Sequence, residues 1–253
     1  MIELRHITAG YGGEMILSDL SLSCPDGQVT VLCGPNGCGK STVIKVVSRF
    51  LEPAHGEVLL DGKNVRNIGV REFAQSAAVM PQMRGSANIT AHSLVLHGRF
   101  PYLGYPRRYS RTDKKIVREA MERTGTWEFA SKPVSSLSGG ERQKVYLAMC
   151  LAQDTRVLLL DEPTTYLDIE YQLELMQLIR QLAGENRTVL MVLHDLNLAM
   201  TCADQMIVME KGQIRLSGKP EEIYESGVIE RVFHVKAEQV RTPDGGSRYF
   251  LTL

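Results

Sequence analysis

Residues 34–41 carry the pattern Gly-x-x-x-x-Gly-Lys-Ser, in which each residue type suits the binding of a polyphosphate. Glycines allow backbone conformations with positive φ, so successive N–H groups are able to turn towards one anion. The side chain of Lys40 is long enough for its ammonium group to reach the outer phosphates, and the hydroxyl group of Ser41 is able to bind Mg²⁺. The pattern predicts a nucleotide-binding loop made of Gly34, Asn36, Gly37, Cys38, Gly39, Lys40, Ser41 and Thr42.

The residues on either side of this loop predict the elements that hold it. A β-branched run at 29–33 is typical of a buried strand, and residues 41–47 have the pattern of an amphipathic helix. A strand that enters the loop and a helix that leaves it would place the phosphates at a helix N-terminus, where an anion is favoured. The alternative interpretation is a tight structural turn.

A second group of reactive residues stands at 157–162, where an apolar strand ends in Asp161 and Glu162. Parallel strands deliver such residues to the carboxyl edge of a sheet, where the phosphate-binding loop is also expected. Asp161 is predicted to bind Mg²⁺ or its water shell, and Glu162 to polarise the water that attacks the outer phosphate. An acidic pair that merely faces solvent is the alternative.

Residues 137–141, Leu-Ser-Gly-Gly-Glu, form the third group. Ser138 and Glu141 have the spacing of a capping box, which predicts a helix that begins here. Two glycines in the first turn cost helix stability, about 1 kcal/mol each relative to alanine. A helix start with a hydroxyl group and no bulky side chains suits an anion. Capping and phosphate recognition by Ser138, Gly139 and Gly140 are compatible.

The remaining pattern predicts the elements that must position these groups. An alternation in residues 2–6 predicts half-buried antiparallel strands near the N-terminus, with His6 on the apolar face. Residues 112–124 and 170–183 have helical periodicity. Residues 98–111 are aromatic, basic and broken by proline, and we interpret them as a surface segment. Buried strands of a parallel sheet covered on both faces are predicted from the apolar runs at 77–80, 157–160, 188–193 and 206–209.

Composition excludes several classes of protein. The chain has 253 residues, and its 29 Lys and Arg residues balance 29 Asp and Glu residues, which argues against nucleic acid as a partner. The apolar runs are too short to cross a membrane and the N-terminal residues do not form a signal segment, so the chain is expected to be neither membrane-spanning nor secreted. Five cysteines without a Cys-x-x-Cys pair favour a reduced interior without a zinc site.

Over nearly its full length the chain resembles the ATP-binding cassette (ABC) ATPases. Residues 34–41 correspond to the Walker A motif of that family, residues 137–141 match its signature motif, and residues 157–162 match Walker B. The smaller elements of the family also have counterparts. They are Tyr11 for the aromatic residue that stacks on adenine, Gln82 for the Q-loop glutamine, residues 166–168 for the D-loop, and His194 for the switch histidine.

The resemblance implies an α/β fold of the P-loop NTPase type. This fold has a RecA-like parallel-sheet core, an antiparallel N-terminal β-subdomain and a helical insertion subdomain. The chain would be a single domain over residues 1–253, with its nucleotide-binding core at 1–85 and 154–225. The helical subdomain with the signature motif would span 86–153, and a C-terminal appendage of unassigned role would span 226–253.

The resemblance also implies an active ATPase that uses ATP and Mg²⁺. Its catalytic residues would be Glu162, His194, Gln82 and Lys40. Its Mg²⁺ ligands would be Ser41, Gln82 and Asp161. In this family the signature motif of one subunit covers ATP that is held by the phosphate loop of another. Since this chain has one copy of each motif, two chains are expected to form a head-to-tail homodimer.

Two local segments indicate the kind of ABC protein. Residues 97–102, His-Gly-Arg-Phe-Pro-Tyr, resemble a segment of importers for iron–siderophores, haem and vitamin B12, and residues 218–223 resemble a stretch of many importer cassettes. In such transporters a short cytoplasmic helix of the membrane subunit enters a groove beside the Q-loop. The aromatic and arginine residues of 99–111 could line the edge of that groove, or they could form an ordinary solvated loop.

The resemblance therefore implies an ATP-hydrolysing subunit that lies peripherally on the cytoplasmic face of the inner membrane and powers import of an iron(III)-siderophore or related chelate. Its partners would be two integral membrane permease subunits and, indirectly, a periplasmic or surface substrate-binding protein. The alternatives are another metal or small-molecule ABC transporter, and a soluble ABC ATPase in cofactor (iron–sulphur) assembly.

Overall fold

The computed structural model describes residues 1–80, 88–241 and 247–252. The strands in these ranges are β1 (Ile2–Tyr11), β2 (Glu14–Cys24), β3 (Val29–Cys33), β4 (His55–Leu60), β5 (Lys63–Asn64), β6 (Ala77–Met80), β7 (Val157–Asp161), β8 (Thr188–Val192), β9 (Gln205–Glu210), β10 (Gln213–Gly218), β11 (Lys236–Arg241) and β12 (Ser247–Thr252). The α-helices in the same ranges are α1 (Lys40–Val47), α2 (Val70–Ser76), α3 (Ala91–His97), α4 (Arg111–Arg123), α5 (Gly139–Ala152), α6 (Ile169–Gly184), α7 (Leu196–Cys202), α8 (Pro220–Glu225) and α9 (Val228–Phe233). Short 3₁₀ helices occur at Val65–Asn67, Phe100–Tyr102, Trp127–Phe129 and Val134–Ser136.

These elements group into two compact units. One comprises Met1–Asn67 with Leu182–Leu253, and the other comprises Ile68–Gln181. The boundaries that the sequence suggests for a nucleotide-binding core and a helical subdomain stay a prediction. Among the helices of the described ranges, none is both long enough and apolar enough to cross a bilayer.

The first unit contains two large sheets. In one, antiparallel strands follow the order β2-β1-β4-β5. In the other, β3 lies parallel to both β8 and β9, and β10 pairs with β9 in an antiparallel hairpin. Every residue of β3 and β8 is buried, because strands covered on both faces require continuous apolar side chains. The pairing of Leu32 with Val192 brings the C-terminal ends of β3 and β8 to the same level of the sheet.

The C-terminal residues pack onto this unit. Helix α9 contacts β9 and β11, and α7 contacts β12. The rings of Tyr224 and Tyr249 lie 5.2 Å apart, which joins α8 to the final hairpin. Because α7, α8 and α9 and the final hairpin make these contacts within the first unit, the C-terminal segment is part of that unit.

The first strand departs from the expected alternation at His6. Leu4 is buried, but His6 is exposed and the next buried residue is Ile7. The register of β1 with β2 shifts between Leu4 and Ile7, and His6 has a φ of 52°. The Nδ1 atom of its imidazole lies 2.8 Å from the carboxylate of Asp19. The prediction that His6 shares the apolar face is wrong, because a β-bulge reverses the alternation of side chains.

The second unit combines a parallel strand pair with helices. Strands β6 and β7 pair in parallel, from Ala77 with Val157 to Met80 with Leu160. Helices α3, α4 and α5 pack against one another. Their shared core contains the buried side chains of Leu94, Val95, Val117, Met121, Val145 and Leu147. The parallel core strands, the antiparallel N-terminal sheet and the helical insertion predicted from the sequence are therefore confirmed.

Segment 98–111 is more deeply built into the second unit than its sequence suggests. Phe100–Tyr102 form a 3₁₀ helix, and Arg99 is only 6% exposed. The guanidinium Nε of Arg99 donates a hydrogen bond to Oδ1 of Asp113 at 3.0 Å. The expectation that the arginines of this segment line a surface groove is wrong for Arg99, because its charge is satisfied inside the unit. Tyr105, by contrast, is fully exposed.

The pair of Arg99 and Asp113 leads to a pH-dependent prediction. Burial opposes ionisation of Asp113, but hydrogen bonds from Ser110 and the charge of Arg99 outweigh it and lower the pKa of Asp113 below its ordinary value. A carboxyl group with a lowered pKa stabilises the fold above its unfolded pKa, about 3.9, and loses that contribution as the pH falls through its folded pKa.

We expect the Asp113→Asn substitution to lower the free energy of unfolding by about 3 kcal/mol at pH 7, because it leaves a buried guanidinium without its ion partner. The difference from the unsubstituted chain should shrink as the pH falls below about 4. Urea unfolding of both proteins at pH 7 and at pH 3.5 measures this, and a difference that is independent of pH would contradict it.

Candidate nucleotide-binding site

The phosphate-binding loop joins β3 to α1 in the first unit. Gly37 and Gly39 have φ values of 78° and 106°, in the region that residues with a Cβ rarely adopt. Gly39 is the N-cap of α1, and its carbonyl accepts a hydrogen bond from the N–H of Val43 at 3.0 Å. The helix begins at Lys40, so the loop leads directly into a helix N-terminus, the arrangement predicted for anion binding.

The side chain of Lys40 is folded onto its own loop. Its Nζ donates to the carbonyl oxygens of Gly34 at 2.7 Å and Pro35 at 3.0 Å, and the residue is 5% exposed. A buried ammonium group needs such acceptors, because an unpaired charge in a protein interior is costly. A bound polyphosphate would replace these carbonyls with charged oxygen atoms, which form stronger hydrogen bonds to an ammonium group.

The cysteines of the chain are buried thiols. The Sγ atom of Cys38 lies 3.9 Å from Nζ of Lys40, and burial raises the pKa of Cys38 although the charge of Lys40 opposes the shift. All five cysteines lie within the described residues, where they are buried and form no disulfide. Burial raises the pKa of Cys24, Cys33 and Cys150 to about 12. These groups are therefore protonated and poorly nucleophilic at neutral pH.

Tyr11 lies beside the helix that follows the loop. It ends β1, is 45% exposed, and has the Nζ of Lys45 from α1 at 5.2 Å from its ring centroid. An exposed aromatic ring in this place is available to stack on a planar base. On the loop itself, Asn36 is exposed, whereas Thr42 is buried in the first turn of α1.

His194 emerges from the same sheet as the loop. It is exposed and directly follows Leu193, whose N–H donates to the carbonyl of Leu32 at 3.3 Å. Since β3 enters the loop at Gly34, the parallel pairing of β3 with β8 brings His194 to the loop end of this sheet. The first unit therefore positions Tyr11, the loop and His194 through β1, α1, β3 and β8.

The acidic pair lies in the second unit. Strand β7 ends at the buried Asp161, and Glu162 follows with a φ of 55°. The Glu162 carboxylate accepts a hydrogen bond from the Thr165 hydroxyl at 3.4 Å, and its main-chain carbonyl accepts one from Nε2 of Gln143 at 3.1 Å. Gln143 lies on α5 and ties that helix to the end of β7. Sequence reasoning missed Gln143, and its only signal was a polar residue on the buried face of a predicted helix.

The N-terminus of α5 has the capping box predicted from the sequence. Ser138 Oγ accepts from the N–H of Glu141 at 3.2 Å, and the Glu141 carboxylate accepts from the N–H of Ser138 at 2.8 Å. These hydrogen bonds lower the pKa of Glu141, so it is ionised at neutral pH. A cavity of about 650 Å³ lies against this helix start and is lined by Ser138, Gly139 and Gly140.

Tyr166 packs on the same two glycines. A Cβ atom on Gly139 would lie 3.1 Å from Cβ of Tyr166, and one on Gly140 would lie 3.2 Å from the Tyr166 carbonyl oxygen. Close packing thus favours glycine at both positions, independently of any phosphate. Tyr166 itself has a φ of 67° and is 71% exposed. The residues that resemble a D-loop are therefore in contact with the start of α5.

Gln82 lies outside the described residues. The other two expected Mg²⁺ ligands, Ser41 and Asp161, offer a hydroxyl and a carboxylate oxygen, the hard donors that Mg²⁺ prefers. Within the described ranges there is no cluster of three or more His, Cys, Asp or Glu side chains able to hold a metal. A divalent cation that binds through one or two protein oxygens, phosphates and water fits this donor set.

Comparison with known proteins agrees with the fold and the motifs. Residues 17–165 match the family model of the ABC transporter. The chain is similar to the iron(3+)-hydroxamate import ATP-binding protein FhuC of Bacillus subtilis (strain 168), with 44% identity over 244 residues that cover 96% of this chain and 91% of that protein. It is also similar to the ferric enterobactin transport ATP-binding protein FepC of Escherichia coli (strain K12), with 39% identity over 245 residues, 96% of this chain and 90% of that one.

A similar solved structure is the dimeric post-hydrolysis state of the ATP-binding cassette MJ0796 bound to ADP and Pi. It has a TM-score of 0.78 and 27% identity over 87% of this chain and 99% of that chain. The phosphate loop before α1, the acidic end of β7 and the capped glycines of α5 are the features of an ATP-binding cassette. The chain belongs to the ABC transporter family.

Proposed function

We propose that this chain is the ATP-binding and ATP-hydrolysing subunit of a membrane importer for an iron chelate. The observation that carries the proposal is the presence of the phosphate loop at 34–41 and the capped Ser-Gly-Gly helix start in one chain of the ABC transporter family. The substrate class is supported by FhuC and FepC, whose names state import of iron(3+)-hydroxamate and transport of ferric enterobactin.

In this proposal the residues of the loop hold the phosphates and Tyr11 stacks on the adenine. Lys40 exchanges its two carbonyl acceptors for phosphate oxygens, and Glu162 accepts the proton of the attacking water as a general base. His194 and Gln82 complete the catalytic set. The φ of 55° at Glu162 and the hydrogen bond from Gln143 to its carbonyl support a fixed position for this carboxylate.

Ser41, Asp161 and Gln82 are the proposed ligands of Mg²⁺. When bound, the ion would neutralise charge on the phosphate oxygens. A hydroxyl, a carboxylate and an amide oxygen leave room in an octahedral shell for phosphate oxygens and water, which suits a cation that arrives together with the nucleotide.

We further propose that two copies close head to tail over two ATP molecules. Ser138, Gly139 and Gly140 of one copy would contact the γ-phosphate held by the loop of the other. The cavity of about 650 Å³ against these residues supports this role, as does the dimeric structure of MJ0796 with ADP and Pi. ATP binds the closed state better and so shifts the equilibrium towards it, and hydrolysis removes the contacts that depend on the γ-phosphate.

The second unit offers a surface for a membrane protein. Val70, Phe100 and Tyr105 are 79%, 44% and 100% exposed, which is unusual for apolar side chains on structured segments. Nε of Arg71 and Nε2 of Gln75 both donate to the carbonyl of Pro101 at 2.8 Å, which holds α2 to the 3₁₀ helix that carries Phe100. Exposed apolar groups on a braced surface suit a short helix of a partner.

That partner is proposed to be a permease of two integral membrane subunits, which places the chain peripherally on the cytoplasmic face of the membrane. A periplasmic or surface substrate-binding protein would deliver the chelate to the permease and would act on this chain only through it. The chelate itself would not touch the chain.

The experiment that tests the proposal is purification of a tagged chain with the Glu162→Gln substitution, trapped with Mg-ATP in detergent-solubilised membranes of its own cells. We expect a polytopic membrane protein in stoichiometric amount, and reconstitution of that complex should give ATP-dependent uptake of a ferric siderophore. A complex that moves a different metal or small molecule would correct the substrate, and soluble partners alone would contradict the transport function.

A further inference from the structure

Arg99 is the centre of a buried junction between three helices. Besides its bond to Asp113 at the start of α4, its Nη1 donates to the main-chain carbonyl of Ala152 at 2.9 Å. Its Cζ lies 3.9 Å from the ring centroid of Tyr102. The side chains of Arg99 and Asp113 are 7% and 11% exposed. One guanidinium therefore joins the segment after α3, the N-terminus of α4 and the C-terminus of α5.

The acceptor on α5 is a group that the helix itself leaves open. Ala152 is the last residue of α5, and the last four carbonyls of a helix have no partner within it. A positive charge at this end is also favourable, because the C-terminus is the negative end of the helix dipole. Gly98 allows the approach, because a Cβ atom there would lie 2.4 Å from the carbonyl oxygen of Met149 on α5.

A second set of hydrogen bonds joins the same place to α2. Nε2 of Gln153, the residue after α5, donates to the carbonyl oxygens of Ala74 at 2.6 Å and Ala77 at 3.1 Å. The bonds from Arg71 and Gln75 on α2 to Pro101, two residues after Arg99, join α2 to the 98–102 segment. Hydrogen bonds therefore connect each pair among three parts of this unit: the C-terminal end of α5, the 98–102 segment and α2.

The two ends of α5 consequently meet different surroundings. At its N-terminus stand Ser138 and the glycines proposed to contact ATP. At its C-terminus stands the junction, whose outer side carries Val70 and Phe100. The helix has 14 residues, so its ends are about 21 Å apart. A helix is stiff over this length, and a displacement imposed on one end is delivered to the other.

We propose that Arg99 is a positioning residue that couples the membrane-protein surface at Val70 and Phe100 to the ATP-contacting end of α5. The inference rests on the function proposed above and deepens it. Arg99 touches neither nucleotide nor partner, and it acts by holding the C-terminus of α5 to the surface segment, so that movement of the surface moves Ser138. Lysine is not an equivalent residue here, because the guanidinium donates to Asp113 and to the Ala152 carbonyl from two nitrogen atoms in a fixed plane, whereas an ammonium group has a single nitrogen.

Two variants test the coupling at different bonds. Arg99→Lys keeps the buried positive charge beside Asp113 but loses the forked contact. The double variant Arg71→Ala/Gln75→Ala leaves the buried pair intact and removes the bonds from α2 to Pro101. Arg118→Ala is the matched control, since Arg118 is an exposed arginine of α4 that pairs with Glu122 in the same unit. Thermal melting of each variant establishes that it is folded.

The measurements are the Kd for ATP and the unstimulated ATPase rate of the isolated chain, and the ATPase rate in the reconstituted complex with the membrane protein. For both test variants we expect the Kd and the unstimulated rate to stay within about twofold, while stimulation by the membrane protein falls by about fivefold or more. The control should retain its stimulation. A merely structural role would lower the stimulated and unstimulated rates together.

Equal losses in the two rates, or full stimulation in Arg99→Lys, would overturn the inference and leave the proposed function standing. Absence of stimulation of the unsubstituted chain by any co-purified membrane protein would overturn the proposed function itself, and the coupling role of Arg99 would fall with it. The behaviour of the unsubstituted complex thus separates the two failures.

Discussion

Replacing Glu162 by glutamine should lower the steady-state ATPase rate by at least about 100-fold and leave ATP binding intact. The amide has nearly the shape of the carboxylate but cannot accept the proton of the attacking water. The backbone at Glu162 is held by Gln143 and Thr165, so we expect no change of local structure. The ATPase rate, the Kd for ATP and the size of the ATP-bound species by gel filtration measure the effect.

The same substitution should accumulate the closed dimer, because the γ-phosphate that holds the two copies together is no longer removed. Glu170→Gln is the matched control, since Glu170 is an exposed carboxylate in the first turn of α6. It should have the same ATPase rate and the same elution volume in gel filtration as the unsubstituted chain. Undiminished hydrolysis by the Glu162→Gln chain would show that another group activates the water.

The second large effect is expected when two inactive chains are mixed. Lys40→Ala removes the ammonium group from the phosphate loop, and Ser138→Arg fills the cavity at the start of α5. Each homodimer then has two defective sites, and each should lose nearly all ATPase activity. In a heterodimer that closes head to tail, both defects fall in one site and the other site has an intact loop and an intact helix start.

If equal amounts of the two chains pair at random, half of the dimers are mixed, and each mixed dimer has one intact site out of two. About a quarter of all sites are then intact, so about a quarter of the unsubstituted ATPase rate should return. The comparison is a mixture of Lys40→Ala with Lys40→Met, in which no combination restores a loop and no activity should return. If the first mixture also stays inactive while each chain still dimerises, the two motifs do not meet across the dimer and the arrangement proposed for ATP is wrong.

The phosphate loop could be predicted closely from the sequence because its signals are local. The β-branched strand at 29–33, the glycines and the helix after them lie within one short stretch, and each residue type has a direct conformational reason. The capping box of α5 is equally local, since Ser138 and Glu141 are three residues apart. The motifs follow one another in the order that is typical of the family, and the comparisons confirm the family.

Features that depend on distant partners could not be predicted. His6 leaves the apolar face because the pairing with β2 shifts register beside it, which no alternation within β1 reveals. Arg99 looked like a surface arginine because its acceptors, at Asp113 and at the end of α5, are 14 and 53 residues away. The bond from Gln143 to Glu162 and the packing of Tyr166 on Gly139 are of the same kind. The environment of Gln82 lies outside the described residues and stays a prediction.

The burial of the five cysteines makes the chain convenient for spectroscopy. Buried native thiols react slowly with maleimides or spin labels, so they need not be removed first. A single thiol introduced on the surface, for example by Tyr105→Cys, would take up nearly all of a reporter group in a short reaction. Distances between reporters on two copies would then follow the opening and closing of the dimer in a chain that is otherwise unaltered.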